Sequence, residues 1–177
     1  MSWFAWVEKR LGRRKEPVYD GPRFSPRTIQ VMTLARKESL RLNHKFLGTE
    51  HLLLGLLKLN EGMGIIVLTK LGIDLNRLRA ELEKVIPKGP EPPAGEDIFN
   101  VPLTPRLKMV IARAQREAKS LNHAQVGTEH LLLGMLVDGN GMAAHVLQSF
   151  NVNLERARKE VLRLNNPNHL PDNDGNA

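Results

Sequence analysis

The sequence predicts an all-α domain built from two tandem four-helix repeats that form one pseudo-twofold globular unit. Three observations predict it. The chain matches itself without a gap at an offset of 79 residues, with roughly 25 of about 61 positions identical. Its apolar residues recur at helical spacing, and nothing alternates with a period of two over a useful length. The octet Gly-Thr-Glu-His-Leu-Leu-Leu-Gly stands at residues 48–55 and again at 127–134.

The 177 residues are 41% hydrophobic and 25% charged, a globular balance, and the 5% of aromatics suits a core of aliphatic helices. Cysteine is absent, which excludes disulfides, thiolate metal sites and cysteine nucleophiles. No apolar run approaches the roughly 20 residues a bilayer requires. The net charge of +7 raises nucleic acid as a partner. It is disfavoured because acids dilute the bases on the same helices, as in Arg36-Lys37-Glu38 and Arg116-Glu117, and because no RNA-binding aromatic motif is present.

In chain order, residues 1–23 form a basic and aromatic extension. Residues 24–164 form the double domain, with repeat one at 24–86, a linker at 87–102 and repeat two at 103–164. Residues 165–177 read as a polar, disordered tail. The linker is rich in Pro and Gly and therefore has some stiffness. Each first helix begins at a capping hydroxyl followed by Pro, Ser25-Pro26 or Thr104-Pro105. In repeat two Leu107, Val110, Ile111, Ala114, Ala118 and Leu121 make its apolar stripe. The second helix is expected to begin at a capping Thr49 or Thr128 and, being apolar nearly all round, to be the buried centre of its unit. A short third helix covers 62–70 or 141–149. The fourth is capped by Asp74 or Asn153 and ends near Ile86 or Leu164.

Glu50 and Glu129 admit two readings. As first-turn acids they oppose the positive end of the helix dipole, worth about 0.3–1 kcal/mol. As exposed carboxylates they can take a bidentate pair from a guanidinium. A phosphate on that guanidinium would meet backbone N–H groups at the helix start, with Arg27 or Arg106 as its basic partner. The histidine pairs His44/His51 and His123/His130 are seven residues apart with no third recurring ligand, which argues against zinc. His51 and His130 are expected to satisfy polar groups near a helix start. No nucleophile constellation and no cofactor loop is present, so no catalysis and no cofactor are expected.

The duplicated Gly-Thr-Glu-His-Leu-Leu-Leu-Gly, preceded by Leu-Asn-His and followed by a Gly-Met step, resembles the double N-terminal repeat of Clp-type unfoldases, the ClpC branch above all. The likeness covers about residues 24–164. It implies a non-catalytic, cytoplasmic module that receives protein substrates and adaptors of the Clp protease–chaperone system. It also implies recognition of phosphorylated arginine, with Glu50 and Glu129 on the guanidinium and Ser25, Arg27, Thr49, Thr104, Arg106 and Thr128 around it. The alternatives are a regulator that docks onto Clp ATPase or protease rings, or a basic protein that binds nucleic acid or a membrane surface. The phosphate-cradling motif G-x-x-x-x-G-K-[ST] is missing, so this chain carries no such ATPase site. The start at Met1 and the polar tail favour a stand-alone module.

The copies also differ. Ile29 and Leu40 in repeat one correspond to Lys108 and Lys119 in repeat two. Eleven residues is close to three turns, so each pair shares a face. The apolar face needs cover, and Trp3, Phe4, Val7 and Leu11 are spaced to supply it. The same segment with its basic followers suits membrane contact through residues 1–16 instead.

Overall fold

A computed structural model describes residues 23–90 and 101–166. The extension 1–22, linker residues 91–100 and the tail 167–177, with the expectations attached to them, lie outside the described residues. Eight helices hold 69% of what is described. They are α1 (Pro26–Arg41), α2 (Thr49–Leu59), α3 (Met63–Lys70) and α4 (Leu75–Val85), then α5 (Pro105–Ser120), α6 (Thr128–Asp138), α7 (Met142–Ser149) and α8 (Leu154–Leu164).

Local chemistry sets most boundaries. Ser25 and Thr104 accept the backbone N–H of Thr28 and Leu107 at 3.2 and 3.1 Å, so the expected hydroxyl caps form ahead of proline at the first helical position. Asp74 accepts from Asn76 and Arg77, and Asn153 from Arg156. The Leu-Asn-His triplet is a stop signal. Asn43 and Asn122 take φ of 59° and 55°, and the following histidine N–H reaches back to Ser39 or Ala118. Asn tolerates this left-handed turn better than most residues.

One expected cap is wrong. Thr49 and Thr128 are the first residues inside α2 and α6, and Gly48 and Gly127 are the capping positions. Glycine has no side chain to cap with. The histidine three residues on does half the work: Gly48 N–H donates to His51 Nδ1 at 2.9 Å, and Gly127 N–H to His130 Nδ1 at 2.7 Å.

The closing glycine of each octet sets helix spacing. A Cβ at Gly55 would lie 2.6 Å from the Val31 carbonyl oxygen and 2.7 Å from the Ala35 nitrogen, and one at Gly134 would lie 2.7 Å from the Val110 carbonyl oxygen. Only a bare Cα lets α1 seat on α2, and α5 on α6, this closely. The Leu triplets behind are fully buried, as a helix apolar all round requires.

Those central helices are covered from both repeats. Helix α3 packs on α6, and α7 on α2, so each unit lends its short helix to the other. The two units therefore share one core. Two strands, Arg23–Phe24 (β1) and Gln125–Val126 (β2), pair in parallel across the repeats, a link too short to show as alternation in the sequence. Buried Thr28 adds a hydroxyl bond to the Val126 carbonyl at 2.7 Å. Glu38 is fully buried rather than a surface acid: it takes Lys58 at 2.6 Å and Arg41 at 2.7 Å, tying α1 to α2.

Of the apolar face on α1, Leu40 is packed against the core, whereas Ile29 remains 42% exposed. Among the described residues no single helix is long and apolar enough to cross a membrane.

Candidate functional site at the repeat seam

The interleaving brings the start of α1 from repeat one to the start of α6 from repeat two. Between them lies an open cleft of about 740 Å³. Ser25 and Arg27 form one side, Gly62, Met63 and Ile66 of α3 a second, and His123, Thr128 and Glu129 the third. Residues from different repeats thus line one cleft: Arg27 shares it with Glu129 rather than with the glutamate of its own unit.

The glutamates are half hidden. Their side chains retain 14% exposure at Glu50 and 12% at Glu129. Each carboxylate folds back over the capping glycine, where a Cβ would meet Glu50 Oε1 at 2.2 Å or Glu129 Oε2 at 2.4 Å. That contact explains glycine ahead of Thr-Glu-His, since both glycines have negative φ and need no special backbone freedom. Among the described residues no Lys or Arg lies within salt-bridge distance of either carboxylate. Their near neighbours are ring nitrogens, His51 Nδ1 and His130 Nδ1, each at 3.5 Å, and at Glu50 also the Thr49 hydroxyl, which donates at 3.4 Å. Burial pushes the Glu129 carboxyl above its usual 4.5, against its own backbone N–H and His123, which favour the charged form.

The histidines form a relay whose tautomers follow by elimination. The Pro87 carbonyl can only accept, so His44 Nε2 carries a proton and donates at 2.8 Å. His44 Nδ1 then accepts from His51 Nε2 at 2.8 Å, leaving His51 Nδ1 as acceptor for Gly48 N–H. Repeat two has the same His123–His130 contact at 2.9 Å. Burial, then the neighbouring ring, pushes His51 and His130 down to about 4, so both are neutral at pH 7. His44, Glu50 and His51 stand close enough to hold a metal, as do their counterparts. Both nitrogens of His51 and of His130 are already committed, however, so the donors do not fit one. The expected structural role of these rings is the one observed.

The two arginines differ sharply. Arg106 pairs with Asp138 at 2.9 Å, and Arg113 holds the other oxygen of the same buried carboxylate. The first copy has Leu59 where Asp138 stands. Among the described residues Arg27 has only Glu61, at 3.8 Å and with both side chains about two-thirds exposed, a contact worth little.

The other expected residues take supporting positions. Ser25 and Thr128 line the cleft, but Thr128 is buried and accepts the Gly64 N–H of α3 at 3.0 Å. Thr49 is equally buried and lies against Gly141, and Thr104 is a helix cap. Some of the helix-start amides expected to be free are spent: Gly48 and Gly127 donate to His51 and His130, and the Glu129 amide serves its own carboxylate. The start of α3, at Gly62 and Met63, borders the cleft in their place. Reading the residues did not assign these two a role, although their recurrence as Gly141-Met142 was the signal.

Fold and cleft together define an all-helical, tandem-repeat domain with an open cleft at the seam between its copies. The chain belongs to the family described as the Clp repeat (R) N-terminal domain, which matches residues 23–122 and again 102–176. Over 142 residues, 80% of the chain, it is 42% identical to the negative regulator of genetic competence ClpC/MecB of Bacillus subtilis and to the chaperone protein ClpB of Oceanobacillus iheyensis. It spans 17% of the length of each. The N-terminal domain of ClpD from Arabidopsis thaliana has the same fold, with a TM-score of 0.65 and 22% identity over 81% of this chain and 96% of that one.

Proposed function

We propose that this domain is a non-catalytic, cytoplasmic receiver of protein substrates or adaptors for a Clp machine, and that its seam cleft takes a phosphorylated arginine side chain. One observation carries the reading: Glu129, a carboxylate without a Lys or Arg partner among the described residues, shares a cleft with the weakly engaged Arg27 of the other repeat. A guanidinium would supply the charge Glu129 lacks through a charge-assisted pair. The phosphate would turn to Arg27, Ser25 and the positive end of α3. Met63 and Ile66 would flank the aliphatic stem.

The Glu50 end is expected to bind more weakly, because Asp138 holds its matching arginine. Calorimetric titration with free phosphoarginine tests this. Binding is expected to be lost with Glu129→Ala, weakened with Arg27→Ala and nearly unchanged with Glu50→Ala, while plain arginine binds poorly. Affinity is expected to fall as acid protonates Glu129, beginning above the ordinary carboxylate range. Undiminished binding in the Glu50/Glu129 double alanine variant would remove the phosphoarginine reading. A variant of that kind that still co-purifies with a Clp ATPase would support a ring-docking regulator instead.

A further inference from the structure

A second concavity, sharing no lining residue with the seam cleft, straddles the pseudo-twofold relation. Its walls include two equivalent pairs, Phe24 with Leu103 and Met32 with Ile111. Ile29, Thr33 and Arg36 of α1 complete it, whereas the equivalent residues Lys108, Ala112 and Gln115 do not line it. The groove is almost wholly apolar and encloses about 160 Å³. A cavity of about 150 Å³ takes a benzene ring, so one aromatic side chain fits.

Three observations name the occupant. The described chain begins at Arg23-Phe24, and Phe24 is itself a wall, so the preceding residues arrive at the groove's rim. Those residues include both tryptophans of the protein, Trp3 and Trp6, with Phe4, Val7 and Leu11. Ile29, 42% exposed at the groove, is a lysine in the copy that no such extension precedes. The twelve residue-to-residue steps from Leu11 to Arg23 reach up to roughly 40 Å when extended, ample for a return.

We propose that the segment from Trp3 to Leu11 folds back onto this groove and seats an aromatic side chain in it. The segment is then a built-in competitor: an apolar partner reaching this face must first displace it. The inference is independent of what the seam cleft binds.

The two tryptophans report on it directly in the full chain. Their emission is expected to be blue-shifted and protected from acrylamide. Ile29→Lys, which copies the second repeat at an exposed position, is expected to red-shift the emission and raise quenching several-fold with far-UV circular dichroism unchanged. Tryptophans as accessible in the wild type as in a free tryptophan amide would overturn the proposal, as would protection that survives Ile29→Lys. Protection that rises with protein concentration alongside dimer sedimentation would assign the groove to a second copy and overturn it. Protection that appears only with phosphatidylglycerol vesicles would do the same in favour of a membrane.

Discussion

Neutralising Asp138 separates the two copies in a measurable way. In Asp138→Asn the buried carboxylate loses its charge while its shape stays. In the wild type this carboxylate bonds Arg106 at 2.9 Å and also Arg113, with only 2% of its side chain exposed. Hydrogen bonds to charged groups contribute about 1.5–3 kcal/mol each. The amide oxygen can keep one partner, and the arginines, 43% and 29% exposed, recover some hydration. The expected loss is therefore about 2 kcal/mol, below the roughly 3–5 kcal/mol for a broken, fully buried pair because the arginines stay partly hydrated. For a domain of this size that lowers Tm by about 4–8 °C. Burial raises the Asp138 pKa, but the bonds to Arg106 and Arg113 outweigh it and hold the group below 3.8. A depressed carboxylate stabilises fully above its unfolded pKa and loses that contribution as pH falls through the folded one. Urea unfolding should show the wild type ahead at pH 7 and pH 5, with the gap closing below 3.8. A gap under about 0.5 kcal/mol at pH 7, the size of an ordinary surface substitution, would refute the reasoning. So would a gap that persists in strong acid. Loosening Arg106 should also strengthen phosphoarginine binding at the Glu50 end.

Other outcomes follow from the same geometry. Gly55→Ala should destabilise by about 1–3 kcal/mol in chemical denaturation, since its Cβ meets the backbone of α1, which cannot yield as a side chain would; a neutral result would mean the helices can separate freely. In Gly127→Ala the new Cβ displaces the Glu129 carboxylate, which can swing away. That variant should stay folded, lose about 1 kcal/mol as a poorer cap, and bind phosphoarginine several-fold more weakly; unchanged affinity would exclude the folded-back carboxylate from the site. His51 and His130 titrate near 4 when folded and near 6.5 when unfolded. Below pH 6.5 the unfolded chain takes up protons the native one refuses, so stability should fall with pH down to about 4. The slope reaches about 1.4 kcal/mol per pH unit for each histidine, and replacing both by Asn should flatten it.

Much of this was legible as pattern. Ser25-Pro26 and Thr104-Pro105, Asp74 and Asn153 announce helix starts because capping is a bond between residues two or three apart, and sequence spacing carries it. The Leu triplets announce buried helices because no side of such a helix can face water. Thr49 and Thr128 misled because hydroxyl residues are the usual caps. The bond that decides the matter runs from a glycine amide to a histidine ring, and it depends on the turn that Asn43 or Asn122 makes beforehand.

The residues alone determined a duplicated, all-helical domain with two acidic helix starts, since local bonds and hydrophobic periodicity act within a few positions of the chain. Only the tertiary structure decided that the short helices exchange places, that Arg27 and Glu129 line one cleft across the seam, and that Asp138 withdraws Arg106 while Leu59 leaves Arg27 loosely held. Those facts depend on which faces bury one another, and contacts between residues some hundred positions apart leave no periodic trace in a single sequence.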